Sequence, residues 1–415
     1  MKNYEWIIVG GGIAGISIAE ILTRQGHSVA LVEKNTKLAS GATKEFHEWI
    51  HTGSLYTLVK DQMKTLKYIL GSLDDLLEFY SSFKNMNIEP STSGLKIQEN
   101  KNGWFNNNFI NFKYRLKNRK LFFNWIFSVS RSIALINGIK KHDWLRRRAG
   151  IIESVKSEYY IPIIKNFFKL LFFKEKFYKI KSTDFTTNSR LLIKDLLYNA
   201  LNNGLDLLTE NELIKIEHEE KNIIAHCSKD KIVGKNIVLC IGDAVEKFTN
   251  LKIKKSLAPI AIVKNIPNST ESFVELDLFK KNCINILTKE TSYGMIGGIS
   301  LENENEVEKY FDYMINEHKK ISKDLVVLKK YVGIKNELIS KNENRSYIYH
   351  INKIKNNLWT VIPGKFSLAF SIAPEFYRLA YKKNPKKHFE VRVNNNNFND
   401  MIDETYWKET QINYK

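Results

Sequence analysis

A chain of 415 residues is longer than the roughly 250–300 residues at which one hydrophobic core stops growing, so we expect two domains. With 43% hydrophobic residues it is typical of a folded protein, and no uncharged apolar run reaches the ~18 residues that a membrane-spanning helix needs. Three cysteines without C-x-x-C spacing indicate neither a disulfide framework nor a zinc site, so we expect no metal and a cytoplasmic location.

Residues 5–34, EWIIVGGGIAGISIAEILTRQGHSVALVEK, predict a strand, a glycine turn, a helix and a second strand. Gly10 permits the tight turn, Gly12 lets the backbone approach a pyrophosphate, and Gly15 lets the helix pack closely on the strand. The acidic residue at the end of the second strand suits the hydroxyls of an adenosine ribose. We therefore expect a dinucleotide to contact Gly10, Gly12, Ile13, Ala14, Gly15, Glu33 and Lys34.

Residues 101–180 are strongly basic and aromatic, with 18 Lys and Arg against four acidic residues, which gives +14 of the net charge of +19. Within this segment, residues 161–180 predict an amphipathic helix with a narrow basic stripe formed by Lys165, Lys169 and Lys176. Three interpretations stay open. The first, which we favour, is an insertion whose aromatic residues form a small core of their own. The second is peripheral contact with an anionic membrane from the cytoplasmic side. The third, binding of nucleic acid, is the least favoured.

Several later segments share a pattern with one known family. They are NTKLASGATKEFHEWIHTGSLYTL with Ser40, Thr43 and His51, STDFTTNSRLLIKDLLYNALNNGLDLL, NELIKIEHEEKNIIAHCSKDKIVGKNIVLCIGDAV, YVGIKNE, NRSYIYH and WTVIPGKFSLAFSIAPEF. Together with the N-terminal unit, the chain resembles the D-amino-acid-oxidase-type FAD oxidoreductases, especially their glycerol-3-phosphate dehydrogenase branch. The resemblance runs from residue 5 to about 380 and is poor over 60–180.

The resemblance implies FAD as the cofactor, with the backbone of Leu213 against the adenine and Gly242 where the chain returns to the flavin. It places Ser40 and Thr43 in a Ser-rich segment leading to the flavin. It also implies a flavin-binding turn before the last helix, formed by Gly364, Lys365, Phe366 and Ser367.

Four residues that the resemblance places at the site could bind substrate or take part in catalysis: Lys365, Arg345, Lys335 and His51. A lysine and a helix N-terminus, as at Lys365, would stabilise the negative charge that a flavin gains at N1 and C2=O on accepting a hydride. Arg345 could hold a carboxylate or phosphate in a bidentate fashion. Lys335 stands where the branch has arginine, so the substrate anion is either held less rigidly or is a different anion.

His51 is the candidate base, because imidazole titrates near neutral pH; the alternative is a histidine that only packs on the flavin or hydrogen-bonds the backbone. His47 could share a helical face with His51, but no carboxylate completes a metal site.

We therefore expect an α/β protein, with a Rossmann-like FAD-binding domain of the glutathione-reductase type and an inserted α+β substrate domain that contains an antiparallel sheet. The FAD domain is expected at 1–60, 181–250 and 350–385, the substrate domain at 61–180 and 251–349 with the helical insertion at 101–180, and a C-terminal extension at 386–415. The strand-like segments SLAPIAIVK, CINILT and YGMIGGISL are expected in the antiparallel sheet.

The expected reaction is the two-electron oxidation of a CH–OH group in a small anionic substrate, a hydroxy acid or a polyol phosphate. Oxygen, a quinone or another acceptor would then reoxidise FAD. An amine or amino-acid oxidase that acts on CH–NH is the alternative. A flavoprotein reductase or a binding protein at a membrane surface is a further alternative.

Overall fold

The computed structural model describes residues 2–53, 55–56, 64–91, 94–98, 103–108, 110–115, 177–181, 184–277, 282–339, 346–391 and 399–414. In these ranges the strands are β1 (Asn3–Val9), β2 (Val29–Val32), β3 (Trp49–Ile50), β4 (Ile88–Ser91), β5 (Gly94–Ile97), β6 (Phe105–Asn106), β7 (Asn111–Arg115), β8 (Phe177–Lys181), β9 (Phe185–Thr187), β10 (Asp206–Leu208), β11 (Leu213–His218), β12 (Ile223–Cys227), β13 (Lys231–Leu239), β14 (Ile253–Lys264), β15 (Phe273–Asp277), β16 (Asn282–Thr288), β17 (Tyr293–Gly298), β18 (Val326–Leu338), β19 (His350–Lys355) and β20 (Leu358–Ile362). The α-helices are α1 (Ile13–Arg24), α2 (Ala42–Glu45), α3 (Lys64–Phe79), α4 (Ser189–Asn202), α5 (Val307–Lys319), α6 (Ala369–Tyr381) and α7 (Tyr406–Asn413).

The first large sheet has eight strands and a parallel centre. Its order is β10-β2-β1-β13-β12-β11, with β20 also paired to β13 and β19 paired to β20. The pairs β10–β2, β2–β1, β1–β13 and β13–β20 are parallel. β2 is buried along its whole length, as expected for a strand covered on both faces. Helices α1, α4 and α6 contribute to the core on one of those faces.

The second large sheet has seven strands in the order β18-β14-β17-β16-β15-β7-β8. All its pairs are antiparallel except β15–β7. Helix α5 covers it with an apolar face of helical spacing, formed by Val307, Tyr310, Phe311, Met314 and Ile315. The antiparallel sheet expected from SLAPIAIVK, CINILT and YGMIGGISL is therefore confirmed by β14, β16 and β17.

The basic aromatic segment at 101–180 contains β6, β7 and most of β8 in its described parts. The predicted helix over 161–180 is wrong at its end, because residues 177–180 pair with β7 as a strand, with Ile180 opposite Phe112. Pairing with a neighbouring strand has overridden the local helical pattern there. The rest of the predicted helix, including Lys165, Lys169 and Lys176, lies outside the described residues.

Two smaller sheets are also present in the described part of the chain. β3, β9 and β6 form a three-stranded sheet, and β4 pairs with β5. Near the C-terminus, Ile402 forms a parallel bridge with Leu38. Across the described part of the chain, none of the helices combines the length and the hydropathy needed to cross a bilayer.

Candidate functional site

A cavity of about 780 Å³ opens beside the carboxyl ends of β1, β2 and β13 and continues under the antiparallel sheet. Its volume falls within the ~300–1,000 Å³ that is typical of small-molecule and cofactor sites. Most of the residues predicted from the sequence line it: Gly10, Gly12, Ile13, Ala14, Glu33, Lys34, Ser40, Thr43, His51, Leu213, Gly242, Lys335, Gly364, Lys365, Phe366 and Ser367. Arg345 lies outside the described residues, and its predicted role stays a prediction.

The turn between β1 and α1 has the geometry that its glycines predict. Gly10 has φ +107°, and a Cβ on it would lie 2.5 Å from the carbonyl oxygen of Cys240. A Cβ on Gly15 would lie 1.9 Å from the carbonyl oxygen of Gly10, so only glycine lets α1 pack this closely. Gly15 is therefore behind the cavity wall and shapes it indirectly.

The N-terminus of α1 opens on the cavity. Its N-cap, Gly12, has no capping side chain, and the N–H of Ile13 donates to Oγ1 of Thr43 at 3.3 Å. Unpaired N–H groups and the helix dipole at such an end favour an anion such as a pyrophosphate. The cradle formed by this turn and Thr43 thus fits the diphosphate of a dinucleotide.

Glu33 follows β2 directly and is only 9% exposed. Its carboxylate accepts the N–H of Gly11 at 2.7 Å and the N–H of Asn35 at 2.9 Å. These two bonds fix the carboxylate at the cavity wall, and a carboxylate has about four lone-pair sites, so acceptors remain for a ribose diol. The predicted ribose contact is consistent with this placement.

His51 follows β3 and lies in a buried hydrogen-bond network. Its Nδ1 is 3.1 Å from Oδ2 of Asp184, which is fully buried. Asp184 also accepts the N–H and the hydroxyl of Thr52, both at 2.9 Å, and the indole N–H of Trp49 at 3.0 Å. A carboxylate on Nδ1 selects the neutral tautomer in which Nε2 can accept a proton.

The electrostatics around His51 keep it neutral. Burial lowers its pKa, the hydrogen bond and charge of Asp184 raise it in part, and the charges of Lys365 and Lys335 lower it again, so the pKa lies below the ordinary value. An imidazole that is neutral at neutral pH is ready to accept a proton.

Lys365 stands at the start of the turn before α6. Its ammonium lies 5.2 Å from the ring centre of Tyr56 and 4.8 Å from that of Tyr347, within the range of cation–π contacts. Two residues later, Oγ of Ser367 accepts the backbone N–H of His51 at 2.8 Å. The turn at 364–367 and the segment at His51 are therefore held together directly.

Lys335 lies on β18 and also lines the cavity. Its ammonium donates to Oγ of Ser300 at 2.8 Å and lies 5.7 Å from the ring centre of Phe46. Since Lys335 and Lys365 both lower the pKa of His51, their positive charges act on the same small region. This region is suited to an anionic group.

His47 does not share a helical face with His51, so that expectation is wrong. Helix α2 ends at Glu45, and the chain between the two histidines becomes the strand β3, in which neighbouring side chains point to opposite faces. His47 is only partly buried as a residue, but its Nε2 is buried and its ring lies beside Gly297; desolvation of the ring together with the charges of Lys289 and Lys335 lowers its pKa to about 3. Within the described ranges, no cluster of three His, Cys, Asp or Glu side chains could hold a metal ion.

Asp184 contacts His51 directly, and the sequence did not single it out. It lies in the segment STDFTTNSR, which the resemblance covered without assigning the aspartate a role. The available signal was one acidic residue placed directly before the buried strand β9. A carboxylate in such a position requires partners, but the sequence does not tell which ones.

Comparisons with known proteins agree with this geometry. The family described as "FAD dependent oxidoreductase" (DAO) matches residues 5–87. No curated protein sequence matches the chain.

Several solved structures are similar over nearly the whole length. L-α-glycerophosphate oxidase from Mycoplasma pneumoniae, with FAD bound, is 16% identical, with a TM-score of 0.63 over 95% of this chain and 99% of that chain. L-proline dehydrogenase from P. horikoshii is 15% identical, with a TM-score of 0.61 over 93% and 95%. Glycine oxidase from Geobacillus kaustophilus is 12% identical, with a TM-score of 0.60 over 97% and 98%. At these identities the likeness establishes the fold.

Proposed function

We propose that this chain, whose residues 5–87 match the DAO family of FAD-dependent oxidoreductases, oxidises a CH–OH group in a small anionic substrate, a hydroxy acid or a polyol phosphate. The resemblance to this superfamily, the fold class and FAD as cofactor are confirmed. The choice of CH–OH over CH–NH rests on the site. The observation that carries it is the buried His51–Asp184 pair in one cavity with Lys335 and Lys365.

FAD fits the cavity at its glycine turn and helix N-terminus, and when bound it supplies the acceptor of two electrons. The chain's own residues would supply the rest. His51, neutral and held by Asp184, accepts the hydroxyl proton at Nε2 as the C–H bond is broken. Asp184 then stabilises the imidazolium that this proton transfer creates.

The two lysines support an anionic substrate. Lys335 and Lys365 are the cations whose charge acts on His51, and an ammonium-bearing substrate would be repelled there. Lys335 is proposed to bind the substrate's carboxylate or phosphate, together with Arg345. Lys365 is proposed to face the flavin edge that becomes negative.

An amine or amino-acid oxidase is the second candidate, and a specific observation favours it. Glycine oxidase and NikD, an amino acid oxidase, have the same fold over most of both chains. The carboxylate of an amino acid would suit Lys335 as well as that of a hydroxy acid. The reacting group, alcohol or amine, is what separates the two candidates.

Anaerobic bleaching of the protein-bound flavin tests both. Hydroxy acids and polyol phosphates, each added without oxygen, are expected to bleach the absorbance of oxidised flavin, whereas matched amino acids and amines are not. Bleaching by amines alone would establish the second candidate. Bleaching by none of these compounds would refute both.

Two further parts of the proposal concern partners. Oxygen consumption, compared with the reduction of a soluble quinone, identifies the electron acceptor of the reduced enzyme.

The alternative of a reductase or binding protein at a membrane surface depends on the basic segment 101–180. Flotation with anionic vesicles tests it, and unchanged flotation after Phe167, Phe168 and Phe172 are changed to serine would exclude a membrane role for these rings.

A further inference from the structure

The C-terminal segment, residues 399–414, lies against the cavity wall. The wall in question is the 38–48 segment, which contains Ser40 and Thr43 and ends beside β3. Contacts between the two segments occur at the beginning, the middle and the end of the wall, and each involves buried groups.

At the beginning of the wall the contact is made by backbone. The N–H of Leu38 donates to the carbonyl of Met401 at 2.8 Å, and the N–H of Asp403 donates to the carbonyl of Leu38 at 2.9 Å. Leu38 is fully buried, and its Cδ2 would be 2.3 Å from a Cβ on Gly11. The C-terminal segment thus fixes the residue that packs against the glycine turn of the dinucleotide site.

In the middle of the wall the contact is ionic. The ammonium of Lys44 donates to Oδ2 of Asp403 at 3.0 Å and to Oε1 of Glu409 at 2.6 Å, and its side chain is 10% exposed. Burial lowers the pKa of Lys44, but the hydrogen bonds and charges of the two carboxylates raise it above the ordinary value. Arg190 adds a second link, because it donates to the carbonyl of Thr43 at 2.7 Å and to the carbonyl of Asp403.

At the end of the wall the contact is a hydrogen bond from the indole of Trp407. The N–H of Trp407 donates to Oε2 of Glu48 at 3.0 Å, and the same oxygen accepts the ammonium of Lys289 at 2.7 Å. Glu48 and Lys289 are each 6% exposed in their side chains. Trp407 therefore helps to satisfy a buried ion pair next to the segment that leads to His51.

We propose that the C-terminal segment is a clasp that holds the 38–48 wall in its cofactor-binding position, so that retention of FAD depends on it. A wall that is ordered before binding does not have to be ordered by the ligand, and this lowers the free-energy cost of binding. The clasp also keeps Thr43 at 3.3 Å from the N–H of Ile13, where the pyrophosphate is expected. The inference rests on FAD as the cofactor and is independent of the substrate.

The test is a titration of the deflavinated protein with FAD, followed by flavin fluorescence. Lys44→Met leaves Asp403 and Glu409 without their shared cation, and the Kd for FAD is expected to rise by about tenfold to a hundredfold, as for a lost hydrogen bond to a charged group. Lys44→Arg is expected to recover most of the affinity. The matched control is Lys408→Met, which removes an ammonium of the same segment that pairs with Glu290 and not with the wall.

The unfolding temperature of the deflavinated protein accompanies each titration. Weaker FAD binding in Lys44→Met, with normal binding in Lys408→Met, supports the clasp. Equal Kd values in wild type and Lys44→Met, or equal losses in both lysine variants, would overturn it. Should Lys44→Met not fold, Glu409→Gln and Trp407→Phe each remove one contact, and unchanged Kd values in both would likewise overturn it.

Discussion

Replacing Asp184 with asparagine removes the negative charge beside His51 and changes little else in size. Oδ1 of Asp184 accepts two donors from Thr52, and Oδ2 accepts Trp49 and His51. An amide keeps its carbonyl oxygen toward only one of these two donor pairs. In either orientation the imidazolium that forms at His51 loses its counter-charge.

The magnitude follows from these contacts. General base catalysis by a positioned side chain contributes about 10²–10⁴-fold, and most of that factor is expected to be lost from kcat/KM in Asp184→Asn. The misplaced amide is also expected to lower the free energy of unfolding by about 1–3 kcal/mol, since buried donors lose their acceptor.

The pH profile gives the more specific result. A base must be unprotonated, so kcat/KM rises with pH through the pKa of His51. The hydrogen bond and charge of Asp184 are what raise that pKa against burial and the lysines. Without them the pKa falls further, so the variant is expected to combine a lower plateau with an acid limb shifted to lower pH.

The assay is the rate of anaerobic flavin bleaching between pH 5 and pH 9, with the substrate found in the screen. Asp195→Asn is the matched control, because Asp195 also accepts an indole N–H, that of Trp104 at 2.7 Å, and an amide of Asn85 at 2.9 Å. It lies on α4, away from the cavity lining. Unchanged rate and pH profile in Asp184→Asn, or the same profile change in Asp195→Asn, would refute a positioning role for Asp184.

Three other changes have expected outcomes. Lys335→Met should raise KM for anionic substrates by about tenfold with a smaller effect on kcat, measured by steady-state kinetics against Lys330→Met, an exposed control. Gly15→Ala should destabilise the protein by about 1–3 kcal/mol or more and weaken FAD binding, because the new Cβ meets the carbonyl of Gly10; a normal unfolding temperature would contradict the packing argument. The fold lowers the pKa of His47 from 6.5 to about 3, so its contribution to the free energy of unfolding is fully present above pH 6.5 and is lost as the pH falls from 6.5 towards 3. Protonation of His47 should therefore lower the free energy of unfolding by about 3 kcal/mol between pH 7 and pH 4. His47→Gln should make the free energy of unfolding depend less on pH in that range.

The sequence predicts well the parts of the molecule that are made locally. The glycine turn, α1 and Glu33 lie within one short β-α-β unit, where spacing alone determines which residues meet. The strands of the antiparallel sheet have continuous apolar or alternating patterns, and they are found where expected. Prediction fails where a local pattern competes with pairing to a distant strand, as at β8, and where two histidines four residues apart are joined by extended chain.

The chemistry of the site depends on contacts between residues that are far apart in the chain. His51 and Asp184 are 133 positions apart, and Ser367 is 316 positions from the N–H of His51 that it accepts. The resemblance drew attention to His51 and to the turn at Lys365 because each belongs to a local motif. Asp184 belongs to no motif that states its partner, so its role appears only when β3 pairs with β9 and brings the carboxylate to the imidazole. The same reasoning applies to the clasp, whose contacts join the last 16 described residues to a wall near the N-terminus. The roles of residues that position others, such as Asp184 and Lys44, therefore become visible only in the structure, because their partners lie far away in the chain.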